Sequence, residues 1–382
     1  MPAQWRVPLA DVHVDDELRA AVDEVVSSGW WSMGPRVEEL EEAFGRALGT
    51  PNAIAVSSGT AALHLALLAL EIGPEDEVLV TSLNFVAVAN TIVHVGAKPV
   101  FCDIGGASDL NVDPADLAAA VTPRTKAVVA MHYGGNPCAM DEIRAFARRH
   151  SLAVIEDAAH APGATYRGQP CGTIGDIGCF SFFANKNLPT GEGGMVVTAD
   201  PELARRLRLL RSHGMTTLTW DRHRGHAHTY DVVTAGLNYR LDEFRAAIGL
   251  IQLARLETEN AARERVVAQY RRAFDGTDGI TVPFGGTSDE SRAAYHLAVI
   301  VLGSERERDH VRGSLQQTGI QTSVHYPPIH RFSYYRGRDP RDLPHTDDIG
   351  ARVLTLPLYG GLDEADVQIV IDAVHGALSD DA

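Results

Sequence analysis

Near the start of the chain, apolar residues recur at helical spacing. Leu18, Val22, Val25 and Val26 share one face behind Asp15 and Asp16, and Gly29 is placed to stop that helix. Pro35 opens a second helix carrying Val37, Leu40, Phe44 and Leu48, with Gly49 beyond it. The period then changes. Short apolar runs read as buried strands at Ala53 to Val56, Val78 to Thr81, Pro99 to Cys102, Ala127 to His132, Leu152 to Asp157, Cys179 to Phe183 and Gly194 to Thr198. Helical patterns separate most of them, such as Thr60 to Leu70, Val86 to Val95 and Met140 to His150. Strands and helices in alternation, with the strands apolar almost throughout, predict an α/β fold with a mostly parallel sheet covered by helices. In such sheets ligands sit at the carboxyl ends of the strands.

After about Leu250 the pattern is different. Asp242 to Phe274 reads as helix, with a break expected near Asn260. A shorter mixed stretch follows: AYHLAVIVL, a helix from Arg306 to Gln317, QTSVHY, and a final helix after Asp363. This divides the chain into a large domain at 1–249, N-terminal helices included, and a smaller C-terminal α/β domain at 250–382.

Composition narrows the function classes. Hydrophobic residues make up 45% of the 382, enough for a large core. The net charge of −16 argues against nucleic acid as a partner, because a phosphate backbone needs a basic surface. A small anion needs only a local basic pocket. The apolar stretch from Ala61 to Leu70 is too short to span a bilayer and contains His64. The N-terminus lacks the apolar core of a signal peptide, so a cytoplasmic, membrane-free protein is expected. Cys102, Cys138, Cys171 and Cys179 form no C-x-x-C pair and read as small buried hydrophobes.

Four segments carry candidate chemistry. Ser57-Ser58-Gly59-Thr60 joins a strand to a very apolar helix, whose free N–H groups and dipole suit a phosphate; Ser58 also reads as an ordinary N-cap. Asp157 ends an apolar strand, where a carboxylate is costly without a cationic partner such as a protonated pyridine nitrogen. It reads equally as a turn or capping residue. Lys186 is the one charge between Phe180 and Gly191; a lysine in a partly desolvated site has a depressed pKa and can form a Schiff base. The fourth segment, Gly236 to Glu243, taken alone is a polar helix entry.

Together these segments resemble the DegT/DnrJ/StrS family of sugar aminotransferases. The resemblance runs from SGWWSMGP at Ser28 to Pro35 through SSGTAALHLAL, TSLNFVAVANTI, VIEDAAHAPGA, FSFFANKNLPTGEGG and GLNYRLDEFRAAIG to HYPPIH and LTLPLYGGL. It implies the fold-type-I architecture and pyridoxal 5'-phosphate (PLP) as cofactor, with no metal. It also implies roles. Lys186 would hold the cofactor and shuttle a proton, and Asp157 would pair with the pyridinium nitrogen. Phe85 would stack on the ring. Ser181 and the Gly59 and Thr60 amides would hold the phosphate, and His160 would stand near the ring oxygen. Asn238 would reach the cofactor of the neighbouring subunit, which makes the protein a homodimer with shared active sites. Relatives with histidine in place of the lysine dehydrate sugars; Lys186 favours transamination.

The acidic chain has one local basic cluster, Arg222, His223, Arg224, His226 and His228, between Trp220 and Tyr230. Trp220, Arg222 and Arg224 are candidates for the diphosphate or nucleotide of a substrate; a metal at the three histidines and a solvated loop are the other readings. His325 and Tyr326 match a family segment near the substrate. The expected reaction moves an amino group from glutamate to a nucleotide-linked, thymidine-diphosphate 4-keto-6-deoxyhexose. A 3-keto sugar or a cyclitol ketone is the alternative acceptor, and a non-catalytic PLP-binding regulator is the alternative class.

Overall fold

The computed structural model describes residues 5–217, 220, 225, 229–285 and 290–380. Two amphipathic helices come first, α1 (Asp16–Ser28) and α2 (Pro35–Leu48). The Asp15 carboxylate caps α1 by accepting from Leu18 N–H, and Gly29 and Gly49 end the two helices in the left-handed conformation at φ 69° and 65°.

Seven strands then build the central sheet: β1 (Asn52–Val56), β2 (Glu77–Thr81), β3 (Lys98–Cys102), β4 (Thr125–Met131), β5 (Ala153–Asp157), β6 (Ile177–Ser181) and β7 (Gly194–Thr198). Their spatial order is β1-β7-β6-β5-β4-β2-β3. All pairings are parallel except those of β7, which runs antiparallel between β1 and β6. β2, β6 and β7 are buried at every position, which explains their unbroken apolar runs. Each expected strand is present, with ends displaced by a residue or two.

Helix α3 (Gly59–Ala69) is apolar on nearly every face because it is enclosed, packed on β6 and β7 and against α4 (Ala87–His94). α5 (Pro114–Ala120) and α6 (Met140–His150) pack together along the other part of the sheet, and α7 (Pro201–Arg211) lies against α3.

The expected break near Asn260 does not occur. α8 runs unbroken from Glu243 to Phe274. Asn260 is buried, and its amide donates to the Pro162 carbonyl at 2.9 Å and accepts from Asn187 Nδ2 at 2.7 Å. With its side chain engaged in tertiary bonds, it does not compete for its own backbone, which is how asparagine ends helices. α8 therefore carries the chain across residues 249 and 250. Its first half packs against α1 and α2. Its second half places Val266, Val267, Tyr270 and Phe274 in a separate core. That core also holds a three-stranded antiparallel sheet of β8 (Ile280–Thr281), β9 (Ala298–Leu302) and β10 (Val353–Leu356), with α9 (Glu305–Gln317) and α11 (Glu364–Asp380). α10 (Pro344–Arg352) precedes β10. The N-terminal strand-like stretch joins this second core through Val7, whose N–H meets the Gly319 carbonyl.

Candidate active site

The carboxyl ends of β1, β2, β4, β5 and β6 open onto one cavity of about 360 Å³, within the range of small-molecule sites. Of the residues singled out from sequence, Gly59, Thr60, Phe85, Asp157, His160, Ser181, Lys186, His325 and Tyr326 all line it. They come from five separate stretches of chain, so only the sheet topology brings them together.

At one end stands the N-terminus of α3. Ser58 is its N-cap, accepting from Ala61 N–H at 3.1 Å, so the capping expectation holds while the next residues face the cavity. Gly59 has a steric reason to be glycine, because a Cβ there would stand 2.8 Å from Ser181 Cβ. The first backbone N–H groups of α3 thus lie beside the Ser181 hydroxyl, an arrangement suited to a phosphate.

Asp157 closes β5 and is buried. Its Oδ1 accepts from Ala159 N–H at 3.1 Å. Among the described residues no ion pair closes on it. Burial raises its pKa, opposed by the Ala159 bond and by the positive field of Lys186. Lys186, in the polar loop after β6, is depressed to about 8, because desolvation of the ammonium outweighs the attraction of Asp157. Phe85 is 56% exposed, an unusual state for phenylalanine that leaves its ring as a free wall of the cavity.

Three imidazoles surround the lysine. His160, His296 and His325 are each held neutral by burial first and then by the Lys186 charge; His325 falls to about 4 and the other two lie well below the ordinary value. The Gly134 N–H donates to His160 Nδ1 at 3.3 Å, so the His160 hydrogen sits on Nε2 and is donated to the Tyr326 hydroxyl at 2.9 Å. This leaves the hydrogen of Tyr326, a phenol kept neutral by burial, able to turn toward the cavity. His325 is anchored from behind: Thr355 Oγ1 lies 2.9 Å from Nδ1, and Tyr133 donates to its carbonyl.

Asn238 and Trp220 are not among the residues lining this cavity. Asn238 is exposed and bridges to Ser212. Trp220 packs on Trp30 with ring centroids 4.7 Å apart. Arg222 and Arg224, with His223, His226 and His228, lie outside the described residues. Among the described residues no cluster of His, Cys, Asp and Glu suits a metal ion. Sequence reasoning missed His296, Asn84 and Asn185. Asn84 Nδ2 and Asn185 Oδ1 are buried, have no hydrogen-bond partner, and belong to residues that line the cavity.

A lysine and a buried carboxylate in one cavity, at the carboxyl ends of a sheet with this strand order and beside a helix N-terminus, define a fold-type-I PLP enzyme. The chain belongs to the DegT/DnrJ/EryC1/StrS aminotransferase family, whose pattern matches residues 12–375. It is 44% identical to the spore coat polysaccharide biosynthesis protein SpsC of Bacillus subtilis over 362 residues, 93% of this chain and 92% of that one. Its structure superposes on the aminotransferase TlmJ from Streptoalloteichus hindustanus with a TM-score of 0.92 at 34% identity, covering 98% of this chain and 100% of that one. The protein Spr1654 of Streptococcus pneumoniae, in its PLP form, gives 0.90 at 29% identity, with 98% and 99% covered. The protein is a PLP-dependent sugar aminotransferase.

The residues present fit the cofactor. The cradle at Gly59 and Ser181 has room for a close anion where a Cβ would intrude. Asp157 is a buried carboxylate in want of a cation. The two orphaned amide atoms of Asn84 and Asn185 supply a donor and an acceptor at the wall.

Proposed function

We propose that the enzyme transfers the amino group of glutamate to C4 of a thymidine-diphosphate-linked 4-keto-6-deoxyhexose, and that it works as a homodimer with shared sites. The observation that carries the catalytic part of this reading is Lys186 and Asp157 facing one cavity, each held at a displaced pKa. PLP, when bound, withdraws electrons from the carbon bearing the amino group, so that its C–H bond can break. Asp157 keeps a proton at the pyridine nitrogen, which sustains that withdrawal. Lys186 carries the cofactor between turnovers, and its released amine, with its pKa lowered to about 8, moves a proton on and off the reacting carbon. Ser181 and the Gly59 and Thr60 N–H groups hold the phosphate. Phe85 covers the ring and excludes water, with the Tyr326 ring beside it at 5.9 Å between centroids and His160 bonded to Tyr326.

Three features support the shared sites. Asn238 is exposed and is not among the residues that line its own chain's cavity. Val232, Val233 and Tyr230, on the same stretch, are more than half exposed, an apolar surface that a second copy would cover. Trp31 and Phe183 are exposed as well, at 55% and 44%. The substrate assignment draws on the family, on a relative named for polysaccharide biosynthesis, and on the basic sequence from Arg222 to His228, which offers a diphosphate anchor remote from the reacting carbon.

The experiment is turnover of paired 4-keto and 3-keto nucleotide sugars with glutamate, with the product's amino position read by NMR. Amination of the 4-keto substrate supports the assignment. Amination of the 3-keto isomer alone overturns the regiochemistry, and no turnover of either with any amino donor overturns the substrate class.

A further inference from the structure

A directed hydrogen-bond chain runs from two backbone carbonyls to the tip of Lys186. The Pro162 carbonyl can only accept, so Asn260 turns Nδ2 toward it at 2.9 Å and presents Oδ1. Asn187 Nδ2 donates to that Oδ1 at 2.7 Å and to the Ala294 carbonyl at 2.7 Å, which fixes the Asn187 amide as well. Asn187 Oδ1 therefore faces His296 Nδ1 at 2.9 Å, and an amide oxygen requires a hydrogen on that nitrogen. The neutral imidazole has one hydrogen only. His296 Nε2 is thus a bare lone pair, and it lies 3.4 Å from Lys186 Nζ. Asn187, Asn260 and His296 are all buried, so no solvent competes for these bonds.

We propose that His296 is a positioning residue for Lys186, which accepts a hydrogen from the lysine nitrogen through Nε2 and so turns the remaining lone pair of the amine into the cavity. The reading rests on Lys186 being the residue that holds the cofactor. His296 does not serve as the base, because it is far more acidic when protonated than the lysine ammonium beside it. Its work is directional. An amine with one hydrogen pinned to the wall is already aimed when it must attack or take a proton, and that alignment is what a solvated lysine lacks. Asn187 holds the tautomer: with its oxygen turned away, His296 could carry its hydrogen on Nε2 and would then present a donor to an ammonium. The adjacency of Asn187 to Lys186 in sequence and the buried Asn260 in mid-helix both acquire a purpose from this chain.

The test separates the two edges of the ring. His296→Asn keeps a donor where Nδ1 stands but ends short of Lys186; His296→Gln keeps an acceptor where Nε2 stands but gives up the Asn187 bond. The readout is the pH dependence of Lys186 acetylation in the full-length protein stripped of cofactor, followed by mass spectrometry of its peptide. A neutral acceptor stabilises the ammonium, so losing it lowers the pKa. Wild type and His296→Gln should titrate together near pH 8, and His296→Asn should fall by roughly one unit. Recovery of the cofactor absorbance after adding PLP should also slow about tenfold in His296→Asn and not in His296→Gln, because the amine is no longer aimed. If His296→Asn titrates and reloads like wild type, or if both variants shift alike, the positioning role is wrong. Borohydride reduction of the loaded wild type is a separate check, since a pyridoxyl group on another lysine would refute the underlying reading of Lys186 without bearing on the hydrogen-bond chain.

Discussion

Two carboxylates stand next to each other at the end of β5, and they live in opposite conditions. Glu156 is fully buried and saturated. It accepts from the backbone N–H groups of Gly172 at 2.7 Å and of Ile174 and Gly175 at 2.6 Å, and from His132 Nε2 at 2.9 Å. His132 is in turn held at Nδ1 by Cys138 N–H, so its hydrogen must sit on Nε2. Asp157, on the other face of the same strand, is 6% exposed and has a single backbone donor. Burial is common to both, so burial does not mark the site. What marks it is a charge left partly unsatisfied on the side that faces a cavity. Glu156 closes the loop from Gly172 to Gly175 onto the sheet; Asp157 stays open for a ligand.

This contrast can be broken or sharpened by substitution. The largest effect is expected for Asp157→Asn, with kcat lower by about 10²–10³-fold, the usual cost of one preorganised electrostatic partner. Its stability should move the other way. The Asp157 pKa is raised in the folded state, so its ionised form opposes folding above the unfolded pKa near 4, and the neutral amide removes that cost. Calorimetry of cofactor-free Asp157→Asn should show a Tm above wild type by about one to a few degrees. A lower Tm would mean that Asp157 is structural like its neighbour.

Glu156→Gln should do the reverse. Its amide turns a donor toward groups that themselves donate, and breaking a buried charged network costs about 3–5 kcal/mol. Denaturant unfolding should show this loss, while kcat per folded molecule stays within a few-fold of wild type. Next comes Gly59→Ala. Its Cβ would have to push Ser181 aside, and PLP binding followed by absorbance should weaken by about tenfold, or 1.4 kcal/mol.

The last comparison concerns pH. His325 has a folded pKa of about 4 against an ordinary 6.5, so the unfolded chain binds the extra proton between those values. The stability that neutral His325 contributes is complete above pH 6.5 and is lost as pH falls toward 4. Unfolding free energy measured across that window should fall more gently, by about one proton in slope, in His325→Gln. An unchanged slope would place the His325 titration at its ordinary value.

Much of this site was legible in the sequence because its residues stand where apolar strands stop. Asp157, Ser181 and the Ser58-Gly59-Thr60 turn each follow a run of strand, and Lys186 is the lone charge in its loop. The α/β pattern also located all seven central strands, since buried strands leave long apolar runs. The missed residues gave weaker signals. His296 lies inside AYHLAVIVL, where a polar residue at the edge of a strand looks incidental. Asn260 looked like a helix break because propensity weighs a side chain against its own backbone, and here the competing partners came from Pro162 and Asn187, 98 and 73 residues away. Glu156 and Asp157 are the sharpest case: adjacent acids in one motif, whose separate duties depend on which face of β5 each side chain takes.

The central claim is that Lys186 is the residue that holds the cofactor, with Asp157 across the same cavity. It is tested most directly by borohydride reduction of the PLP-loaded protein followed by peptide mapping. One pyridoxyl group is expected, on Lys186 in the FSFFANKNLPTGEGG segment, and none in Lys186→Ala. A pyridoxyl group on any other lysine, or none on the wild type, would contradict it.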